Sequence, residues 1–335
     1  VKTRTQVIRE LLDEIWEYSS WVEPMNKLLN GWTSREASEP LRKGIPSVMQ
    51  IVNHAAFWEE VAARRLNGQP LEDLNKQFDE AHDGLAPASM PAWPQAAENY
   101  RKQRSAVVKA LERLSDEDLA RTVAGEDFTL FWPAVGRAIH DTYHAGQIAL
   151  LHELVGHELP TPTEPPAGSA KLDAKADLKK FLLELMENSW GGSMWLHSVG
   201  SVLTEIPVKL AQWRASEEVH TIAEIAYHMT FWEEFVTRLL RGQPINDEKR
   251  KEQAAGPAKQ PAGMPTWPEV RDQLIEQHQA LRQTMASMKE TDLFKALDEL
   301  PEAYHPLYRL VSGVIAHDSY HLGQIVLLQQ MFEEA

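Results

Sequence analysis

There is no cysteine among the 335 residues. That excludes disulfides, thiolate metal sites and a protein-borne thiol nucleophile, and it fits a reducing compartment such as the cytoplasm. Positive charge is scarce: 34 Lys and Arg stand against 49 Asp and Glu, a formal net charge of −15. So acidic a chain is not built to grip nucleic acid or an anionic membrane, both of which need a basic face. No apolar run approaches the ~20 residues of a membrane span, and the opening VKTRTQVIRELL is amphipathic rather than signal-like. A glycine-rich phosphate loop and a strand-elbow serine are both missing. So are the paired Glu-xx-His motifs that a carboxylate-bridged di-iron site needs at matching positions. A hydrophobic content of 43% and a charged content of 25% are those of an ordinary globular protein, and the length suits two domains.

What the chain does have is an internal copy of itself. IVNHAAFWEEVAARRLNGQP (51–70) matches IAYHMTFWEEFVTRLLRGQP (225–244) at an offset of 174. The same offset pairs MPAWP (90–94) with MPTWP (264–268), and Trp16 and Trp21 with Trp190 and Trp195. HDTYHAGQIALL (140–151) matches HDSYHLGQIVLL (317–328) at an offset of 177. A period this long is a domain duplication rather than a solenoid. The Pro- and Gly-rich stretch between the copies lacks apolar periodicity and reads as a linker. The expected division is a first domain over 1–160, a linker over 161–174 and a second domain over 175–335.

Each half shows four helical segments and no convincing strand. The first runs from about Thr5 to the low twenties, before Pro24. The second opens on a capping-box pattern, Ser47 with Gln50 and Thr221 with Glu224, and the first copy stops at Gly68 before Pro70. About twenty poorly periodic residues follow, then a helix from Pro94 (Pro268 in the copy) and a last helix from near Pro133. The fold class expected is all-α: two tandem four-helix bundles, each up-down-down-up because the long second connection permits parallel neighbours.

His140 and His144, like His317 and His321, lie one turn apart on one helix face. Helix two adds His54 and His228, each followed by Phe-Trp-Glu-Glu. Three imidazoles from two helices can bind a divalent metal and leave a position open for water or substrate. Zinc, nickel, copper, iron(II) and manganese all accept such a set. The remaining seven histidines have no histidine at the equivalent repeat position.

The neighbouring positions suggest roles. Gln147 and Gln324 fall nearly in line with the histidines and are candidates to hold a metal-bound water or a substrate, or to make an interhelical hydrogen bond. Tyr143 and Tyr320 sit at the edge of that face as phenolic donors. Trp58 and Trp232 are candidate walls of a substrate pocket, or core residues. Asp141 and Asp318 are expected at the surface, with orientation of a ligand imidazole as the alternative. Glu59 and Glu60 are expected at the surface, and Gly146 and Gly323 are expected to permit close helix packing.

With these residues, HDxYHxGQI on a last helix and a histidine on helix two, each half resembles the DinB/YfiT-like superfamily of metal-binding bundles. The resemblance implies an up-down-down-up bundle with a divalent metal on His54, His140 and His144, and another on His228, His317 and His321. Characterised members include mycothiol-dependent maleylpyruvate isomerase and bacillithiol S-transferases, in which the metal is thought to activate a low-molecular-weight thiol. Members often pair as dimers, which implies here a monomer whose two halves stand in for such a pair. The leading expectation is therefore a cytoplasmic bacterial metal-dependent thiol S-transferase acting on a small-molecule substrate. A metal-hydroxide hydrolase and a non-catalytic metal-binding or stress-response bundle are the alternatives.

Overall fold

The computed structural model describes residues 3–18, 21–74, 91–160, 178–191, 198–254, 256–296 and 306–333. The described chain is all-α; its only extended pairing is an isolated bridge between Thr122 and Thr129. The long helices of the first half are α1 (Arg4–Asp13), α2 (Val48–Leu66), α3 (Gln95–Leu111) and α4 (Phe131–Leu154). Those of the second are α5 (Leu178–Gly191), α6 (Ile222–Leu240), α7 (Trp267–Ser287) and α8 (Leu307–Glu333). None of the described helices is long and apolar enough to cross a membrane.

Local signals set these boundaries. Both capping boxes form: Ser47 with Gln50 opens α2, and Thr221 with Glu224 opens α6, each satisfying two orphan donors of a first turn. Both helices end at a glycine in the left-handed region, Gly68 at φ +63° and Gly242 at φ +65°. Pro94 caps α3, and Pro268 lies in the first turn of α7. The first helix ends earlier than the periodicity suggests, continuing past Asp13 only as a π-helical turn, Glu14–Tyr18. Short helices unmarked by any apolar stripe follow it, Met25–Leu28 and Ser34–Ser38, and the second half repeats them as Val199–Glu205 and Val208–Ala211. The second half's connection between α6 and α7 carries a further helix, Asp247–Gln253. The linker expected over 161–174 and Trp195 lie outside the described residues, as does most of the first half's long connection.

Within each half the helices close a ring. In the first, α2 packs on α3 and α4, and α1 packs on the same two; in the second, α6 and α5 stand in the same relation to α7 and α8. Ile51, Val52, Ala55 and Ala56 of α2 bury against Tyr100 of α3 and Ile148 of α4 in one apolar core. Its second-half counterpart uses Ile225, Ala226 and Met229 with Leu274 and Ile325 in the same cluster. The hydrophobic core is thus continuous across the two halves.

The halves meet along α4 and α8. A Cβ on Gly146 would lie 1.9 Å from the carbonyl oxygen of Tyr320, and one on Gly323 would lie 2.0 Å from that of Tyr143. The contact is reciprocal, each copy's glycine resting on the other copy's tyrosine backbone, as in an interface with two-fold symmetry. Gly191, by contrast, has open space where a Cβ would go. Gly323→Ala should therefore cost about 1–3 kcal/mol through forced separation of the two helices, read as a shift in the denaturation midpoint. Gly191→Ala should change stability by less than about 1 kcal/mol. Equal effects of the two changes would refute the close contact.

Candidate metal centres

Position 54 on α2 faces positions 140 and 144 on α4 because the two helices pack along their length. The Nε2 atom of His140 lies 3.2 Å from Nε2 of His54 and 3.2 Å from Nε2 of His144. In the second half, Nε2 of His317 lies 3.0 Å from Nε2 of His228 and 3.0 Å from Nε2 of His321. Donors sharing a metal at bonds of ~2.0–2.1 Å lie ~3 Å apart, so both sets fit one coordination sphere. The residues are buried, His54 partly. Burial pushes His140, His144, His228 and His317 well below the ordinary imidazole range, and His321 down to about 4. They are neutral, which is the form that donates a lone pair to a metal. Each triad can therefore hold a metal ion.

A ligand imidazole must also present the correct nitrogen. Gln324 Oε1 lies 2.6 Å from Nδ1 of His321, and Gln147 Oε1 lies 2.7 Å from Nδ1 of His144. A carbonyl oxygen only accepts, so Nδ1 carries the proton and Nε2 keeps the lone pair aimed at the other histidines. The structure thus places Gln147 and Gln324 against ligand rings. His228 has an equivalent partner in Gln253 Oε1, 3.0 Å from its Nδ1. Gln253 comes from the polar helix in the α6–α7 connection, a segment whose lack of apolar period hid it.

The surroundings of the triads overturn several surface expectations. Glu59 and Glu233 are fully buried, and Asp141 and Asp318 are 1% and 3% exposed. The reason is that α2 and α4 are covered on nearly every side, by each other, by α3 and by α8, so the faces turned from the histidines meet protein as well. Only the next residue behaves as expected: Glu60 pairs with Arg64 at 2.6 Å, and Glu234 with Arg238 at 2.9 Å, both part-exposed.

These buried acids are treated differently in the two halves. In the first, Arg137 Nη2 lies 2.7 Å from Asp141 Oδ1, and Arg137 and Arg104 approach Glu59 Oε1 at 3.5 and 3.6 Å. Burial would raise the Asp141 carboxyl, yet Arg137 holds it well below the usual carboxylate range, while burial and Asp141 itself push Glu59 up to about 8. In the second half the repeat sets His278 where Arg104 stands and Val314 where Arg137 stands. There burial pushes Glu233 up to about 7, and burial with the neighbouring Glu233 charge raises Asp318 well above its ordinary value.

Arg137 makes the two centres chemically unequal. Its Nη2 also lies 2.7 Å from Nδ1 of His140. A guanidinium has no lone pair, so Nδ1 of His140 accepts and the neutral ring carries its proton on Nε2, the atom turned toward His54 and His144. Metal binding there must displace a proton beside a fixed cation. Among the described residues His317 has no such neighbour; its Nδ1 faces Asp318 Oδ1 at 3.9 Å.

The remaining candidates separate by half. Trp58 packs edge-on to His54 at 6.4 Å and belongs to an apolar cluster with Phe57, Val61 and Leu74. Tyr143 is buried and receives a hydrogen bond from Gln147 at 3.3 Å. Trp232 and Tyr320, with His228, His317, His321 and Gln324, line a cavity of about 270 Å³ between the halves. The first half supplies its other wall through Trp21 and Glu23; Trp21 lies 5.1 Å from the Trp232 ring, and Tyr320 donates its hydroxyl hydrogen to Glu23. Trp21 was visible as a repeat landmark, but nothing marked it as part of the other half's site. A larger cavity of about 950 Å³ around Arg65, Arg113 and Arg121 touches none of the six histidines.

Titration of metal-stripped protein with Zn²⁺ should resolve the two triads as separate affinity classes, the tighter one lost in His321→Ala. Arg137→Val should tighten the weaker class, and Gln324→Ala should weaken the tighter one by roughly 10–100-fold. Competition with a chromophoric chelator reads both; a single class unmoved by Arg137→Val would contradict the inequality.

The comparisons agree with this paired arrangement. The family model described as the DinB superfamily matches residues 22–148 and again residues 197–325, more than half of the chain. No curated protein and no solved structure matches it. Each match holds the short helices, the helix-two histidine and the last helix through its paired histidines, so the chain belongs to the DinB superfamily and carries that domain twice.

Proposed function

We propose that this protein is a metal-dependent thiol S-transferase whose working centre is the second triad, His228, His317 and His321. The observation that carries the reading is that these three Nε2 atoms converge at the wall of the inter-half cavity, with no arginine hydrogen-bonded to Nδ1 of His317 among the described residues. A bound divalent cation, Zn²⁺, Ni²⁺, Fe²⁺ or Mn²⁺ on this donor set, would supply Lewis acidity that lowers the pKa of a thiol in the open position. The protein's own part is orientation and exclusion of water. Gln324 and Gln253 hold two of the rings in the ligating tautomer. Burial and the Glu23 charge raise Tyr320 well above the usual phenol range, so it stays protonated, gives its one hydrogen to Glu23 and leaves its oxygen lone pairs to accept from a group in the cavity. Trp21 and Trp232 form an apolar surface suited to an aromatic or alkyl electrophile. A cavity of about 270 Å³ suits a small-molecule substrate and a low-molecular-weight thiol rather than a peptide chain. The absence of cysteine fits work in the bacterial cytoplasm, where such thiols are held reduced.

The test is turnover of a chlorinated aromatic with several biological thiols, with and without metal. Activity should require metal, fall at least about 100-fold in His321→Ala, and survive in His144→Ala at more than about half of wild type. Ester hydrolysis without thiol dependence would replace the transferase with a hydrolase. Metal binding with neither reaction would make the protein a binding module.

A further inference from the structure

Glu233 on α6, His278 on α7 and Asp318 on α8 meet on the far side of the second triad. They are 0%, 5% and 3% exposed. Nδ1 of His278 lies 2.9 Å from Oε1 of Glu233, and one donor atom from each of the three residues lies within 4.8 Å of the others. Glu233 Oε2 and Asp318 Oδ1 are buried without a hydrogen-bond partner among the described residues. The His278 ring is fixed by Trp190, stacked on it at 3.9 Å with planes 4° apart.

The first half shows what these carboxylates require. Glu59 and Asp141 occupy the same repeat positions, and two guanidiniums, Arg104 and Arg137, neutralise them. The second half keeps both acids and has lost both fixed cations, to His278 and Val314. Two ionised carboxylates in a dry core without a countercharge are strongly unfavourable, so Glu233 and Asp318 either share a proton or hold a bound cation.

We propose that Glu233, His278 and Asp318 bind a divalent cation of their own, a structural ion that does in the second half what Arg104 and Arg137 do in the first. Two carboxylates and one imidazole are a donor set that Zn²⁺, Mn²⁺ and Fe²⁺ accept. The 2.9 Å between nitrogen and oxygen suits two adjacent ligands on one ion at bonds of ~2.0–2.2 Å. The site adjoins the triad through Asp318, 3.9 Å from Nδ1 of His317, and its test reads metal content rather than turnover.

Full-length protein, stripped of metal, is reloaded with Zn²⁺ or with Mn²⁺, freed of excess by gel filtration, and its bound metal counted per chain. The double variant His278→Arg with Val314→Arg restores the first half's pair and should lose one equivalent relative to wild type. His321→Ala should lose a different equivalent, so that its combination with the double variant loses both. Glu233→Gln, nearly isosteric, should also lose one equivalent and decides the matter if the double variant does not fold. Unchanged stoichiometry in Glu233→Gln, with either metal, would overturn the proposal and leave the two acids sharing a proton.

Discussion

The rest of the molecule hangs on how closely α4 approaches α8. At Gly146 and Gly323 the backbones come so near that no Cβ fits, and the tyrosine next to each second histidine supplies the opposing carbonyl. This single crossing makes the two cores one, and it brings the residues around Trp21 and Glu23 over the second triad. Tyr320 serves both purposes: its backbone receives Gly146, and its hydroxyl reaches Glu23. The site and the interface between the halves are therefore built from the same few residues.

Behind the triads the governing constraint is electrostatic. Buried carboxylates stand next to the metal-facing histidines in both halves, and each must be balanced within a few ångströms. Arginine does this in the first half at a chemical cost to His140, because the donor that satisfies Asp141 also reaches Nδ1 of a ligand. In the second half the arginines are gone and His317 is left free of them. A change in charge pairing in the core thus alters which nitrogen a ligand offers to the metal.

Much of this was legible in the sequence, for physical reasons. Offsets of 174 and 177 exposed the duplication, and within it Ser47–Gln50 and Thr221–Glu224 marked helix starts that the structure shows. The spacing of His140 and His144, with His54 on another helix, told which rings meet, since helical period and ligand chemistry are local properties. Tertiary burial was not legible. Glu59 and Asp141 read as surface residues because their angles from the histidines were right, while which neighbours covered those faces was unknowable from one helix. Gln253 sits in a segment without apolar period, and Glu23 reaches the site only through the docking of the halves. Val314 and His278 carried a signal that comparison of the repeats could have read: the loss of two basic residues opposite two retained acids.

In a dimer of identical chains, any substitution appears at both sites at once, so a residue that helps one centre and harms the other's support cannot be tried separately. Joining two copies in one chain removes that restriction. The crossing can stay symmetric while Arg137 and Val314 diverge on either side of it, and one copy can specialise as a rigid frame whose charges are locked. The other then explores new chemistry against a wall that no longer has to obey its own rules.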